Sequence, residues 1–218
     1  HFWSKKIPAK ISRDYFFIMS IEKTFNQLVD NAPLFVCKLP KPIVKEIGVW
    51  ARECKKVKDH PLGYLKAHEN AGYSLKEEIG GTKPEKEEHN SFQCGIPPRL
   101  IEDSYWLAYT IRLCKIVFGG YHRRFYLRKY DGHFDGYDIW ANFAYKGNEN
   151  PVHNHAGDIS GVIYHKNHKH PTIFPELETK YDGDNGTMVI FPSNMLHYVE
   201  EQKSNKERIT FAFNINVR

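Results

Sequence analysis

From Tyr137 onward the chain is written in short apolar runs, each ended by residues that favour turns. The runs are Asp138–Tyr145, Val152–Ala156, Ile159–Lys166, Pro171–Phe174, Thr187–Phe191, Leu196–Glu200 and Glu207–Val217. Between them lie Lys146-Gly-Asn-Glu-Asn150, Asn167–His170, Asp182-Gly-Asp-Asn-Gly186 and Gln202–Lys206. Short strands at this rhythm, separated by Gly- and Asn-rich breaks, predict an antiparallel sandwich or barrel, the set to which jelly rolls belong. No internal repeat and no convincing linker divide the chain, and 218 residues suit one well-cored domain.

The first 136 residues read differently, as helices and loops. Pro42–Lys56 carries Ile43, Ile47 and Trp50 at helical spacing, with Pro40 and Pro42 as its entry. Leu100–Phe118 places Leu100, Ile101, Tyr105, Leu107, Ala108, Ile111, Leu113 and Val117 on one stripe and stops at Gly119-Gly120, so a single amphipathic helix is expected. Glu69–Asn90 is rich in Gly, Lys and Glu and reads as a mobile excursion. The expectation is one mainly-β (α+β) domain, 1–218, in which a helix- and loop-rich portion, 1–136, buttresses a β core, 137–218.

Composition removes several classes. Hydrophobic residues at 41% and aromatics at 14% belong to a folded chain rather than a disordered one. The net charge of +5 is mild and scattered; it permits a nucleic-acid partner without requiring one. Two basic runs stand out, Arg52–Lys58 and Tyr121–Lys129. The second mixes Arg123, Arg124 and Arg128 with Tyr and Phe, but one solvated basic face is the simpler reading. Cys37, Cys54, Cys94 and Cys114 form no CxxC pair, which excludes a zinc ribbon and a thioredoxin motif. With no recognisable signal peptide, reduced thiols in a cytoplasmic protein are expected. Tyr15–Met19 is too short to span a bilayer, and Met19-Ser20 reads as a natural start, with residues 1–18 as an extension.

Three elements of the β half carry chemistry. His153-Asn-His155 lies on an expected strand, where positions two apart face the same side, so two imidazoles can converge as a metal requires. Surface histidines near a turn are the competing reading. His197 follows the break at Phe191-Pro192-Ser193, and a barrel can bring such a strand beside the first to complete a three-ligand cap with open positions. Arg208 lies on the otherwise apolar run ERITFAFNINV. A buried guanidinium is costly unless paired, so an inward Arg208 calls for a carboxylate, and Thr210, on the same face, adds a hydroxyl. The alternative is an edge-strand charge in solvent. His165, His168 and His170 sit in a Lys-rich stretch that reads as a solvated loop.

In this order the motifs resemble the 2-oxoglutarate/Fe(II) oxygenase superfamily. The detailed resemblance is to an oxygenase family found in phage and marine bacteria. It rests on Trp140-Ala-Asn142, Asn150-Pro-Val-His153-Asn-His155, Ser160-Gly-Val-Ile-Tyr164, Gly186–Ser193 with His197, and Glu207-Arg-Ile-Thr-Phe-Ala-Phe-Asn214. The resemblance implies a double-stranded β-helix (jelly-roll, cupin-like) core with Fe(II) at its mouth and 2-oxoglutarate as cosubstrate. It implies His153 and His197 as iron ligands, Arg208 as partner of the distal carboxylate, and Thr210 where the superfamily has Ser. Asn142 stands where some relatives contact the cosubstrate, and Tyr164 is a candidate for the same pocket, with a core amide and a core aromatic as the plainer readings.

One departure matters. The superfamily's usual carboxylate ligand is His155 here. Either His155 ligates, or Asp158 reaches round, or the position is empty; strand parity favours His155. The leading expectation is an oxidoreductase that hydroxylates an unidentified substrate, whether small molecule, protein side chain or nucleobase. A three-histidine cupin-type dioxygenase without 2-oxoglutarate and a non-catalytic, nucleic-acid-binding module are the alternatives. Neither substrate nor oligomeric state is readable.

Overall fold

The computed structural model describes residues 34–60, 91–101, 104–114 and 134–217. The Glu69–Asn90 excursion, the Tyr121–Lys129 basic run and the Met19 start lie outside them. In chain order the elements are β1 (Phe35–Lys38), α1 (Lys41–Lys58), β2 (Phe92–Gly95), α2 (Pro98–Ile101), α3 (105–114), β3 (Phe134–Ala144), β4 (Asn150–His153), β5 (Ile159–Lys166), β6 (Thr172–Phe174), β7 (Thr179–Tyr181), β8 (Thr187–Pro192), β9 (His197–Val199) and β10 (Arg208–Val217). A 3-10 turn, Pro175–Leu177, separates β6 from β7.

The strands form two antiparallel sheets. The larger has six strands in the order β1-β8-β5-β10-β3-β2, the smaller four in the order β4-β9-β6-β7. This is the expected β-rich jelly roll, faced by helices. β10 shows how one strand serves both sides. Ile209, Phe211, Phe213 and Ile215 are buried in the main core, whereas Arg208, Thr210 and Ala212 line a cavity on the other face. Period-two alternation is what separates them. On the core side the aromatic rings meet edge to face, Trp50 with Trp106 at 5.3 Å, Trp50 with Phe211 at 6.1 Å and Trp106 with Phe213 at 5.5 Å. Such contacts add to the area they bury. Gly161, opposite Phe213, leaves room for that ring: a Cβ there would stand 2.6 Å from Phe213 Cε1 and 2.8 Å from the Val189 carbonyl.

Three details differ from the sequence expectation. The predicted Leu100–Phe118 helix is broken at Ser104, whose Oγ accepts the Leu107 N–H (3.1 Å), while Glu46 of α1 accepts the Trp106 N–H (2.9 Å). Capping of free N–H groups by these oxygens starts a new helix and outweighs continuity of the apolar stripe. Its expected end, 115–118, lies outside the described residues. The first half is not helix and loop alone, because β1 and β2 form the two edges of the larger sheet. β4 stops at His153, short of the expected Ala156, so His155 lies beyond the strand.

All four cysteines are free. Among the described residues no helix is long and apolar enough to cross a membrane.

Candidate metal and cosubstrate site

The histidine cluster is assembled by pairing between distant strands. β4 and β9 run antiparallel with His153 opposite His197. His155, past the end of β4, is held by its own N–H, which donates to the Ser193 carbonyl at 2.9 Å. One donor nitrogen from each of the three imidazoles comes within 4.8 Å of the others, and this is the one such group among the described residues. Ring centroids are 4.3 Å apart for His153–His197, 4.9 Å for His153–His155 and 5.1 Å for His155–His197. Asp158 is not in the group, so the imidazole of His155, not a carboxylate, completes it. Strand parity favours His155 over Asp158, but a hydrogen bond to Ser193, rather than a continued strand, keeps it beside the other two.

The tautomers follow from the neighbours. His153 Nδ1 lies 2.7 Å from the Pro151 carbonyl and His197 Nδ1 3.0 Å from the Met195 carbonyl. A carbonyl only accepts, so in each ring Nδ1 carries a proton, the arrangement that metal ligation through Nε2 needs. His197 is 4% exposed and packs against Phe191 and Phe174. Burial pushes its pKa down to about 4, aided by the other two imidazoles, so it is neutral at pH 7.

The same cavity, about 390 Å³, extends along the inner face of the larger sheet, and His153, His155, His197, Asn142, Arg208 and Thr210 all line it. Such a volume is in the range of ligand pockets. Trp140 lines it too and meets the His155 ring edge-on at 5.9 Å. Trp140 is level with Ala212 and Ala144 with Arg208, so the strand position beside His155 lies four residues from Arg208 along β10, about 14 Å of backbone.

Arg208 is 5% exposed. Its Nε donates to Asn167 Oδ1 at 2.8 Å, and among the described residues no carboxylate pairs with it. Burial lowers its pKa to about 10, so it stays charged at neutral pH. The adjacent Glu207 cannot neutralise it. By parity that side chain faces the opposite way, where it bonds Tyr145 and pairs with Lys55 at 3.2 Å. An unpaired buried cation facing a cavity is therefore a receptor for an anion. Gln202, 2% exposed and also lining the cavity, has an Oε1 with no hydrogen-bond partner among the described residues.

Tyr164 lies behind the cavity wall. It is fully buried, is not among the cavity-lining residues, and donates its hydroxyl to Thr172 Oγ1 at 2.8 Å; Thr172 forms the wall in its place. His168 and His170, read as loop residues, bond the carbonyls of Glu207 and Glu200 and take no part in the cluster. Asn167 and Gln202 escaped the sequence reading, since both sit in stretches recognisable only as turns.

The family described as "Putative 2OG-Fe(II) oxygenase" matches residues 165–214. No curated protein sequence matches the chain. Among solved structures, a Pseudomonas putida prolyl-4-hydroxylase is similar at 12% identity and TM-score 0.53, covering 93% of this chain and 100% of that one. The Arabidopsis thaliana dioxygenase for auxin oxidation, in complex with 2-oxoglutarate, is similar at 9% identity and TM-score 0.55, with 90% and 88% covered. A Trichoplax adhaerens prolyl hydroxylase, bound to a peptide of hypoxia inducible factor, is similar at 11% identity and TM-score 0.54, with 93% of each chain covered. These identities show a shared fold.

Proposed function

We propose that this chain is an Fe(II)- and 2-oxoglutarate-dependent dioxygenase that hydroxylates a substrate C–H bond, with His153, His155 and His197 as its iron ligands, a reading that the family segment and the fold support. The observation that carries this reading is one cavity lined both by three converging imidazoles and by a buried guanidinium without a carboxylate partner among the described residues. The donor set suits Fe(II), for which imidazole is a common ligand, and three protein ligands leave positions open. Arg208 suits the distal carboxylate of a dicarboxylic keto acid, and Thr210 stands on the same face to donate its hydroxyl to the same anion.

When bound, iron and cosubstrate supply the oxidation: one oxygen atom of O2 enters the substrate as 2-oxoglutarate becomes succinate and carbon dioxide. The protein's part is placement and exclusion of water. The carbonyls of Pro151 and Met195 orient the His153 and His197 rings through Nδ1. Phe191 and Phe174 shield His197 from solvent. Asn142 lines the cavity between the levels of Arg208 and Trp140, within the path of a bound dicarboxylate, and is proposed as a contact to it. Exposed Val152 and Asn154, flanking His153, mark where substrate reaches the ligands. The prolyl hydroxylase and auxin dioxygenase neighbours act on chemically different substrates, so the shared fold leaves the substrate open.

The all-histidine set also favours a second reading, a three-histidine dioxygenase without a keto-acid cosubstrate. Anaerobic addition of Fe(II) and then 2-oxoglutarate to metal-free protein separates the two through the visible charge-transfer band of a chelated keto acid. The band should appear in wild type and be lost or weakened in His155→Ala and Arg208→Ala. Tight iron binding without a band supports the second reading.

A further inference from the structure

Asn167 is buried, 1% exposed, in the turn between β5 and β6, and each polar group of its amide is committed. Oδ1 accepts from Arg208 Nε at 2.8 Å, and Nδ2 donates to the Gly183 carbonyl at 3.0 Å. Its backbone N–H donates to Asn185 Oδ1 at 3.2 Å. The amide is thus oriented from the far side by the Gly183–Asn185 segment, and only its oxygen can meet the guanidinium.

The turn itself is unusual. His168 and Lys169 both have left-handed backbones, φ 52° and 56°, and the His170 N–H donates to the Asn167 carbonyl at 3.1 Å. Two successive positive φ angles define a tight mirror-image turn that glycine or asparagine normally supplies, and other residues adopt it at some cost. Contacts on either side over-determine it here. His168 Nε2 bonds the carbonyl of Glu207, the residue before Arg208, at 3.1 Å, and His170 Nε2 bonds the Glu200 carbonyl at 2.7 Å. The turn is therefore tied to the start of β10, beside the residue that its first member contacts.

We propose that Asn167 is the positioning residue for cosubstrate selectivity: it occupies Arg208 Nε, leaving the two Nη groups to receive a carboxylate end-on in the cavity. This rests on the reading of Arg208 as the anchor for the distal carboxylate. A neutral amide suits the role, because it orients the guanidinium without cancelling its charge. An aspartate in its place would form a buried ion pair and leave less for a ligand to gain.

The test compares two keto acids with the same metal-binding head. 2-Oxovalerate carries a methyl group where 2-oxoglutarate has its distal carboxylate. Both are titrated anaerobically into Fe(II)-loaded wild type, Asn167→Ala and Asn167→Asp, reading the charge-transfer band for affinity. Wild type should prefer 2-oxoglutarate. In Asn167→Ala the preference should fall about tenfold, the scale of one hydrogen bond to a charged group. It should fall further in Asn167→Asp, while 2-oxovalerate affinity is unchanged in all three. General damage to the fold would weaken both acids alike and leave the ratio intact. Asn167→Asp, being isosteric and keeping an acceptor for Nε, serves if the alanine variant does not fold. An unchanged preference in the folded variants overturns the role of Asn167 and leaves the Arg208 reading standing. Equal affinity of wild type for the two acids overturns the anchor reading and this inference with it.

Discussion

Replacing Arg208 with methionine should make the cosubstrate-free protein no less stable, and reduce its affinity for 2-oxoglutarate to that for 2-oxovalerate. Burial moves the guanidinium pKa from 12.5 to about 10, so the folded state disfavours the charged form. A displacement of that size corresponds to about 3 kcal/mol at neutral pH, where the group is charged in both folded and unfolded chains. Methionine, of similar length and uncharged, removes this cost. Against it stands Asn167 Oδ1, which loses its partner and is left unsatisfied at about 1–3 kcal/mol. The net effect is between zero and a gain of about 2 kcal/mol, or a Tm raised by up to about 8 °C for a domain of this size. Thermal unfolding of metal-free protein measures the first half. Unfolding with Fe(II) and 2-oxoglutarate measures the second, where wild type is stabilised as the logarithm of ligand concentration over Kd and the variant gains no more than 2-oxovalerate gives wild type. A fall in Tm of the metal-free variant by several degrees would refute the reasoning, because it would mean that Arg208 is a satisfied structural cation.

Metal-free protein should lose stability as pH falls from about 6.5 toward 4. The folded state holds His197 neutral down to about 4 while the unfolded chain takes up its proton near 6.5, so up to about 3 kcal/mol is lost across that window; Tm against pH, compared with His197→Gln, checks it. Gly161→Ala should destabilise by about 1–3 kcal/mol, since the Val189 carbonyl is backbone and cannot yield to the new methyl. Chemical unfolding tests this, and Phe213→Leu in the same chain should recover part of the loss. Iron affinity should fall steeply in His153→Ala, His155→Ala and His197→Ala and hold in Asp158→Asn, as measured by competition with a chelator; loss in Asp158→Asn would restore a carboxylate to the ligand set.

The sequence was most legible where one strand has two environments. β10 was expected at 207–217 and forms at Arg208–Val217, because Ile209, Phe211, Phe213 and Ile215 alternate cleanly with Arg208, Thr210 and Ala212. The three histidines come together because β4 pairs with β9 and the Ser193 carbonyl accepts the His155 N–H, neither of which a local pattern states. β1 and β2 were not legible. FVCK and FQCG are too short to show a period, and they exist as strands because β8 and β3 offer them edges. The break at Ser104 was hidden because apolar periodicity continues on both sides, and the capping oxygen of Glu46 comes from another helix. Tyr164 lies on the expected strand, buried with its hydroxyl donating to Thr172, a partner that no local pattern names. No local pattern could join Asn167 to Arg208.

β10 comes last in chain order among the described strands, yet lies between β5 and β3 in the interior of the larger sheet. While the polypeptide is being made, β3 and β5 are thus finished long before the strand that must join them. A growing chain carries His153 and His155 first, His197 much later, and Arg208 only as the joining strand begins to emerge. A ribosome stalled anywhere before β10 leaves an open sheet lacking the guanidinium, so unfinished protein would have no anchor for the keto acid even if it captured iron. The order of synthesis therefore makes closure of the sheet and completion of the proposed anchor the same event.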